Sequence, residues 1–218
     1  MCHYLSSILL SEAANVCGLL LAGGQSRRMG GGDKCLRVLG GETVLARIIR
    51  IACPQVRKLV LNANGDQSRF SDYDVPIAAD VVDGFAGPLA GIFTGLEWAR
   101  ANAPECQWVA SFACDAPFAP TDLVSRFLSA VADDKSDLVC ATSNGRDQPV
   151  FGLWPVRLAD ELRSALIDED MRKVDIWTGR YRLARVDWPT EPVDPFFNVN
   201  RPDDLDAAEA ILKNSRVP

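Results

Sequence analysis

Two places in this 218-residue chain gather residue types suited to phosphate chemistry. The first is residues 18–34, where an apolar run through Leu21 and Ala22 ends in Gly23 and Gly24. Arg27, Arg28, Met29, three further glycines, Asp33 and Lys34 follow. Glycines let backbone N–H groups approach a ligand that a Cβ would hold away. Successive N–H groups form an anion-binding nest, and Arg28 and Lys34 add full positive charge. The chemistry implied is a polyphosphate cradle. It is not a P-loop, since Gly-Lys-Ser/Thr is missing, and its glycines do not fit Gly-x-Gly-x-x-Gly. The alternative is a flexible surface turn. The second place is Asp115, directly after the apolar run 108–113 and two residues before Pro117. A carboxylate there faces the ligand edge of a sheet, and Mg²⁺ is held by one or two carboxylates plus substrate phosphates. A turn cap is the alternative.

Weaker candidates lie between and beyond these two. Asn62 offers a donor and an acceptor suited to a base edge or a ribose, or it belongs to an ordinary Asn-x-Asn-Gly turn. Asp80 could accept from the N1–H and 2-amino group of guanine, or cap a loop. The small residues of 87–91, Gly-Pro-Leu-Ala-Gly, would let a flat base lie against the backbone, or merely start a helix. Asn198 and Asn200 fall on one side of an extended segment. They could bond phosphate or a pterin-like heterocycle, or Asn200 could cap the last helix.

The elements that must position these residues alternate. Val16–Leu21 reads as a strand buried on both faces, with a short strand at 36–39. Thr43 caps a helix carrying Leu45, Ile48, Ile49 and Ala52, which Pro54 stops. Strands are expected at 58–61, at 75–79 as an edge strand containing Pro76, and at 108–113. Helices are expected at 89–101 and from a Thr121 cap to about residue 132. Strands at 137–141 and 148–154 flank an Asn144-Gly145 turn. Helices at 155–166 and 171–177, a strand at 181–187 and a helix at 203–212 complete the chain. Strands alternating with helices predict a three-layer α/β/α sandwich with a Rossmann-like, mostly parallel sheet. Such sheets bind ligands outside the carboxyl ends of their strands. Residues 16–218 are expected to be one domain and residues 1–15 an N-terminal extension.

Composition narrows the function. A net charge of −6 argues against general nucleic-acid binding. Seven scattered cysteines without Cys-x-x-Cys spacing suit a reducing cytoplasm rather than a disulfide framework. The single histidine, His3, argues against a Cys/His zinc site and against a Ser-His-Asp triad. No apolar run approaches the roughly 20 residues that span a bilayer.

Leu-Ala-Gly-Gly, then Arg-Met-Gly and Asp-Lys resembles the signature loop of nucleotidyltransferases of the glycosyltransferase-A-like fold. The chain from about 16 to 212 resembles the molybdenum cofactor guanylyltransferases in particular. The matching pieces run in order through Asn62-Ala63-Asn64, Asp80, Gly87-Pro88-Leu89-Ala90-Gly91, Cys114-Asp115-Ala116-Pro117 and Asn198-Val199-Asn200. Ala116 and Arg201 stand where that family often has Thr. The resemblance implies Mg²⁺-dependent transfer of GMP from GTP to molybdopterin or Mo-molybdopterin, and transient contact with molybdoenzyme apoproteins. It assigns GTP contacts to Leu21, Ala22, Gly23, Lys34, Asn62, Asp80 and Asp115, with Arg28 and Lys34 on the phosphates. Asp115 is the implied magnesium ligand, and Asn198 and Asn200 lie near the reacting groups. The other readings are cytidylyl transfer to molybdopterin, a sugar-phosphate nucleotidyltransferase, or a non-catalytic nucleotide-binding adaptor.

Overall fold

The computed structural model describes residues 15–22, 33–82, 84 and 87–214. Strand β1 is Val16–Leu21, and all six residues are buried. Lys34–Leu36 forms a 3-10 turn where the sequence predicts the start of a strand. Only Val38–Leu39 (β2) is extended there, paired in a small hairpin with Glu42–Thr43 (β3). Gly40 and Gly41 turn that hairpin with φ of 63° and 90°, which L side chains rarely adopt.

Helix α1, Val44–Ala52, starts as expected, because Thr43 Oγ1 accepts the Ala46 N–H at 3.1 Å. Then come β4 (Lys58–Asn62), a 3-10 turn at Gln67–Phe70, and the short edge strand β5 (Ile77–Ala78). Helix α2 is Pro88–Asn102, and Ile92, Leu96 and Ala99 are fully buried. Strand β6 is Trp108–Ala113, and α3 is Leu123–Asp134. The hairpin β7 (Leu138–Ser143) and β8 (Arg146–Pro155) turns at Asn144-Gly145. Both turn residues have positive φ (49° and 68°), as a type I′ turn requires. Helices α4 (Ala159–Ile167) and α5 (Val174–Thr178), strand β9 (Leu183–Trp188) and helix α6 (Pro202–Asn214) follow.

Thr121 does not cap α3. The first residue before that helix, Asp122, gives its carboxylate to Trp188 Nε1 at 3.1 Å. The early N–H of Val124 is satisfied instead by Gln55 Oε1, at 3.1 Å, from the 3-10 turn Cys53–Gln55 that follows α1. Tertiary contacts have replaced a local cap.

The main sheet has the order β5-β4-β1-β6-β8-β7-β9. Four of its pairings are parallel, and β8 runs antiparallel between β6 and β7. Alternation along β1 sorts the layers. Val16 and Leu20 join α1 and α3 on one face, while Cys17, Leu19 and Leu21 join α2, α4 and α5 on the other. A third, smaller cluster of Leu39, Val44, Phe118, Val199 and Ala208 holds α6 against the β2–β3 hairpin. No helix among the described residues is long and apolar enough to cross a membrane.

Candidate active site

Parallel pairing brings three strand ends to one edge. Leu21 stands level with Asn62 on one side and Ala113 on the other. The chain then leaves the sheet together at Ala22, Ala63 and Cys114. Two main-chain bonds tie these exits: Ala22 N–H to Asn62 O at 3.0 Å and Cys114 N–H to Leu21 O at 3.2 Å. A small cleft opens here, lined by Leu21, Ala22, Asp33, Lys34, Cys35, Cys114 and Asp115.

Lys34, Asp115 and Asn200 meet in this cleft. Lys34 Nζ donates to Asn200 Oδ1 at 2.5 Å and lies 4.0 Å from Asp115 Oδ2. Val199 N–H donates to the Asp115 carbonyl at 2.8 Å, so the segment after β9 is fastened onto the end of β6. Val199 is buried between exposed Asn198 and Asn200, which puts both asparagine side chains on the open side. Asn200 does not cap α6 with its side chain. Asp204 does so in its place, accepting from the Asn200 and Arg201 N–H groups at 2.8 Å each, and the amide of Asn200 stays committed to Lys34.

Asp115 is half-buried, and burial pushes its carboxyl above the usual carboxylate range while the Lys34 ammonium pulls it back. Arg47, itself buried on α1, donates from Nε to the Pro117 carbonyl at 3.0 Å and fixes the turn that carries Asp115. The neighbouring thiols are inert. Burial lifts Cys35 to about 12 and Cys114 well above its ordinary value, so neither forms the thiolate a nucleophile needs. Among the described residues, Cys17, Cys35, Cys53, Cys106, Cys114 and Cys140 are free.

A second group sits one strand further along. Asn62 is buried, and its Nδ2 donates to Ala78 O at 3.1 Å and to Asp80 Oδ1 at 2.8 Å. Asn64 Nδ2 donates to Asp80 Oδ2 at 2.7 Å, and the Asp80 N–H donates back to Asn64 Oδ1 at 2.8 Å. Two amides thus aim one carboxylate. Asn62 is thereby tied to Asp80 through its Nδ2. The expected space beside Gly91 is filled by protein: a Cβ there would stand 2.5 Å from both Asn62 Oδ1 and Leu21 Cδ2. The glycine at 91 admits the Asn62 amide. Gly23 and Arg28 lie outside the described residues. The sequence singles out neither Asn64 as a separate candidate nor Arg47. The repeated amide of Asn62-Ala63-Asn64, alternating along one side, was the available signal for Asn64. A buried arginine on a helix face carries no such signal.

One hard carboxylate beside an ammonium, on a ligand edge, fits a divalent ion shared with substrate phosphates. It does not fit an all-protein metal cage, and no group of three His, Cys, Asp or Glu residues that could hold one occurs among the described residues.

A mostly parallel α/β sheet with a polar constellation at its strand ends is an architecture that nucleotidyltransferases share with other α/β ligand-binding proteins. The chain matches the MobA-like NTP transferase domain over residues 18–181, and it belongs to that family. It is 52% identical over 201 residues to a molybdenum cofactor guanylyltransferase of Bradyrhizobium sp. (strain ORS 278), covering 92% of this chain and 95% of the relative. It is 48% identical to the enzyme of that name from Mesorhizobium japonicum, covering 92% and 97%. Molybdopterin-guanine dinucleotide biosynthesis protein A from Archaeoglobus fulgidus shares the fold, with a TM-score of 0.72 at 22% identity over 91% of this chain and 100% of that one. So does a Mycobacterium tuberculosis protein solved in complex with manganese, with a TM-score of 0.65 at 16% identity over 90% and 99%.

Proposed function

We propose that this protein transfers GMP from GTP to the terminal phosphate of molybdopterin or its molybdenum-loaded form. An acceptor phosphate oxygen attacks the α-phosphorus, the bond to the β-phosphate breaks, and pyrophosphate leaves. The observation that carries this reading is the meeting of Lys34, Asp115 and Asn200 at the ends of β1 and β6, in a chain about half identical to guanylyltransferases. No protein nucleophile is needed, because positioning and charge stabilisation do the work. Lys34, with Arg28 from the glycine loop, holds the β and γ phosphates. Asn200 orients the Lys34 ammonium and, with Asn198, faces the acceptor phosphate. Asp80, aimed by Asn62 and Asn64, accepts from the N1–H and 2-amino edge of guanine. Leu21, Ala22 and Gly23 offer their backbone to the nucleotide.

Asp115 would hold Mg²⁺, which supplies Lewis-acid polarisation of the phosphate oxygens. On the same reading residues 16–218 act as one domain, supported by the main sheet that joins seven strands from both halves of the chain, β1 and β9 among them. A cytoplasmic setting fits the free buried thiols. Product hand-over to molybdoenzyme apoproteins is part of the proposal.

The test is thermal unfolding with Mg²⁺ and each of GTP, CTP, ATP and UTP, followed by a pyrophosphate-release assay with molybdopterin. At about 100 times its dissociation constant, GTP should stabilise by roughly 2.7 kcal/mol. A larger shift with CTP would overturn the guanine assignment. Asp115→Asn should remain folded and lose transfer, and retained turnover would remove its metal role.

A further inference from the structure

Arg69 connects the two ends of the nucleotide site. It lies in the 3-10 turn after β4, outside every motif that singled out the site in the sequence. Its Nε is 2.7 Å from Asp33 Oδ2, the residue beside Lys34 at the end of the glycine loop. Its Nη2 donates to the Asn64 carbonyl at 2.6 Å. Asn64 is the residue that grips Asp80 twice, through Nδ2 and Oδ1. An unbroken series Asp33–Arg69–Asn64–Asp80 therefore runs from the phosphate loop to the base-facing carboxylate.

The guanidinium is itself held. It stacks over the Phe70 ring at 4.8 Å, and Phe70 is buried. Gly65, with φ of 80°, passes so close that a Cβ there would be 3.4 Å from Arg69 Nη1. A planar fork can bond in two fixed directions at once, which a lysine ammonium does not. Side-chain exposure is 19% for Asp33 and 31% for Arg69, so the pair is partly shielded from solvent.

We propose that Arg69 is a positioning residue that sets the distance between the base-reading Asp80 and the phosphate loop, and thereby the preference for guanine in a triphosphate. The inference rests on the reading of the site as a GTP site. Arg69 touches neither the base nor the reacting atoms; it acts through Asn64 and Asp33.

The test is calorimetric titration of GTP, ITP and ATP, with Mg²⁺, into the wild-type protein, Arg69→Met and Arg69→Lys. ITP lacks the 2-amino group that Asp80 would read. The wild type should prefer GTP over both. Arg69→Met should lose about tenfold of the GTP-over-ITP preference, the scale of one hydrogen bond to a charged group. Arg69→Lys keeps a cation near Asp33 but not the fork, and should lose preference in the same direction. A wild type indifferent to the base overturns the GTP reading itself, and this proposal with it. A discriminating wild type whose Arg69→Met binds GTP and ITP with an unchanged ratio leaves the GTP reading standing and overturns the positioning role. If Arg69→Met does not fold, an unchanged ratio in Arg69→Lys has the same consequence.

Discussion

Replacing Gly91 by alanine tests whether Asn62 governs nucleotide binding through its packing. The new Cβ would stand 2.5 Å from Asn62 Oδ1 and 2.5 Å from Leu21 Cδ2. Carbon and oxygen cannot share that distance, so the amide or the helix must move. Overpacking of this kind costs about 1–3 kcal/mol. Alanine recovers about 0.5–1 kcal/mol over glycine inside a helix, leaving a net loss of about 0–2.5 kcal/mol. Gly95→Ala, one turn on in α2, is the matched control. Its Cβ meets Leu19 Cδ2 at 2.6 Å and leaves Asn62 alone. Urea unfolding should therefore place the two variants close together. GTP binding should separate them. Displacing Asn62 breaks its bond to the Asp80 carboxylate, and a bond to a charged group is worth about 1.5–3 kcal/mol. That corresponds to a loss of about 10- to 150-fold in affinity for Gly91→Ala, with little change for Gly95→Ala. Equal GTP affinities in the two folded variants would refute the claim that Asn62 is held in place by the missing Cβ.

Two further outcomes follow from polar groups away from the cleft. Ser111 Oγ, fully buried in β6, accepts from Trp154 Nε1 at 2.8 Å and Gly152 N at 3.3 Å and donates to Val150 O at 2.5 Å. Ser111→Ala strands two buried N–H groups, so denaturant unfolding should show a loss of about 2–4 kcal/mol with GTP affinity of the folded fraction preserved; a loss below about 1 kcal/mol would contradict this. Asp137 accepts from the Arg182 N–H, Nε and Nη2 at 3.0–3.1 Å, and these bonds hold its carboxyl down to about 2. A depressed folded pKa stabilises above the unfolded value, near 4, and that contribution is lost as pH falls through the folded one. The stability gap between wild type and Asp137→Asn should be flat from neutral pH to about 5 and close between about 4 and 2; a gap unchanged down to pH 2 would contradict the assignment.

The legible parts of the fold are those whose signal is local. Val16–Leu21 is apolar throughout and Trp108–Ala113 is so except for Ser111, because both sheet faces are covered. Thr43 caps α1 from its own sequence position, and Asn144-Gly145 supplies its own turn. What failed to show was decided by distant partners. Thr121 is a good cap by type, but Gln55 and Trp188 reach the start of α3 from elsewhere. The expected helix 155–166 opens with a 3-10 turn at Val156–Leu158, because Pro155 still belongs to β8. No periodicity announces that β8 runs antiparallel inside a parallel sheet. In the candidate site, Lys34 and Asp115 stood out because charge after a buried strand is conspicuous. Their partnership with Asn200 did not, since it spans 166 residues of sequence. Arg69 looked like any solvated arginine until Asp33 and Asn64 closed around it.

The bond from Val199 to Asp115 has a consequence for damaged molecules. Among the described residues all nine strands are complete before the chain reaches Val199 and Asn200, so a protease cut after β9 spares the strands but removes the asparagines together with Phe196 and Val199 of the core. On the proposed reading the fragment would keep Lys34, Asp80 and Asp115 but lose Asn200, the group that orients the Lys34 ammonium. The segment after β9 therefore joins two tasks in one stretch of chain, since Phe196 and Val199 fill the core while Asn200 holds Lys34.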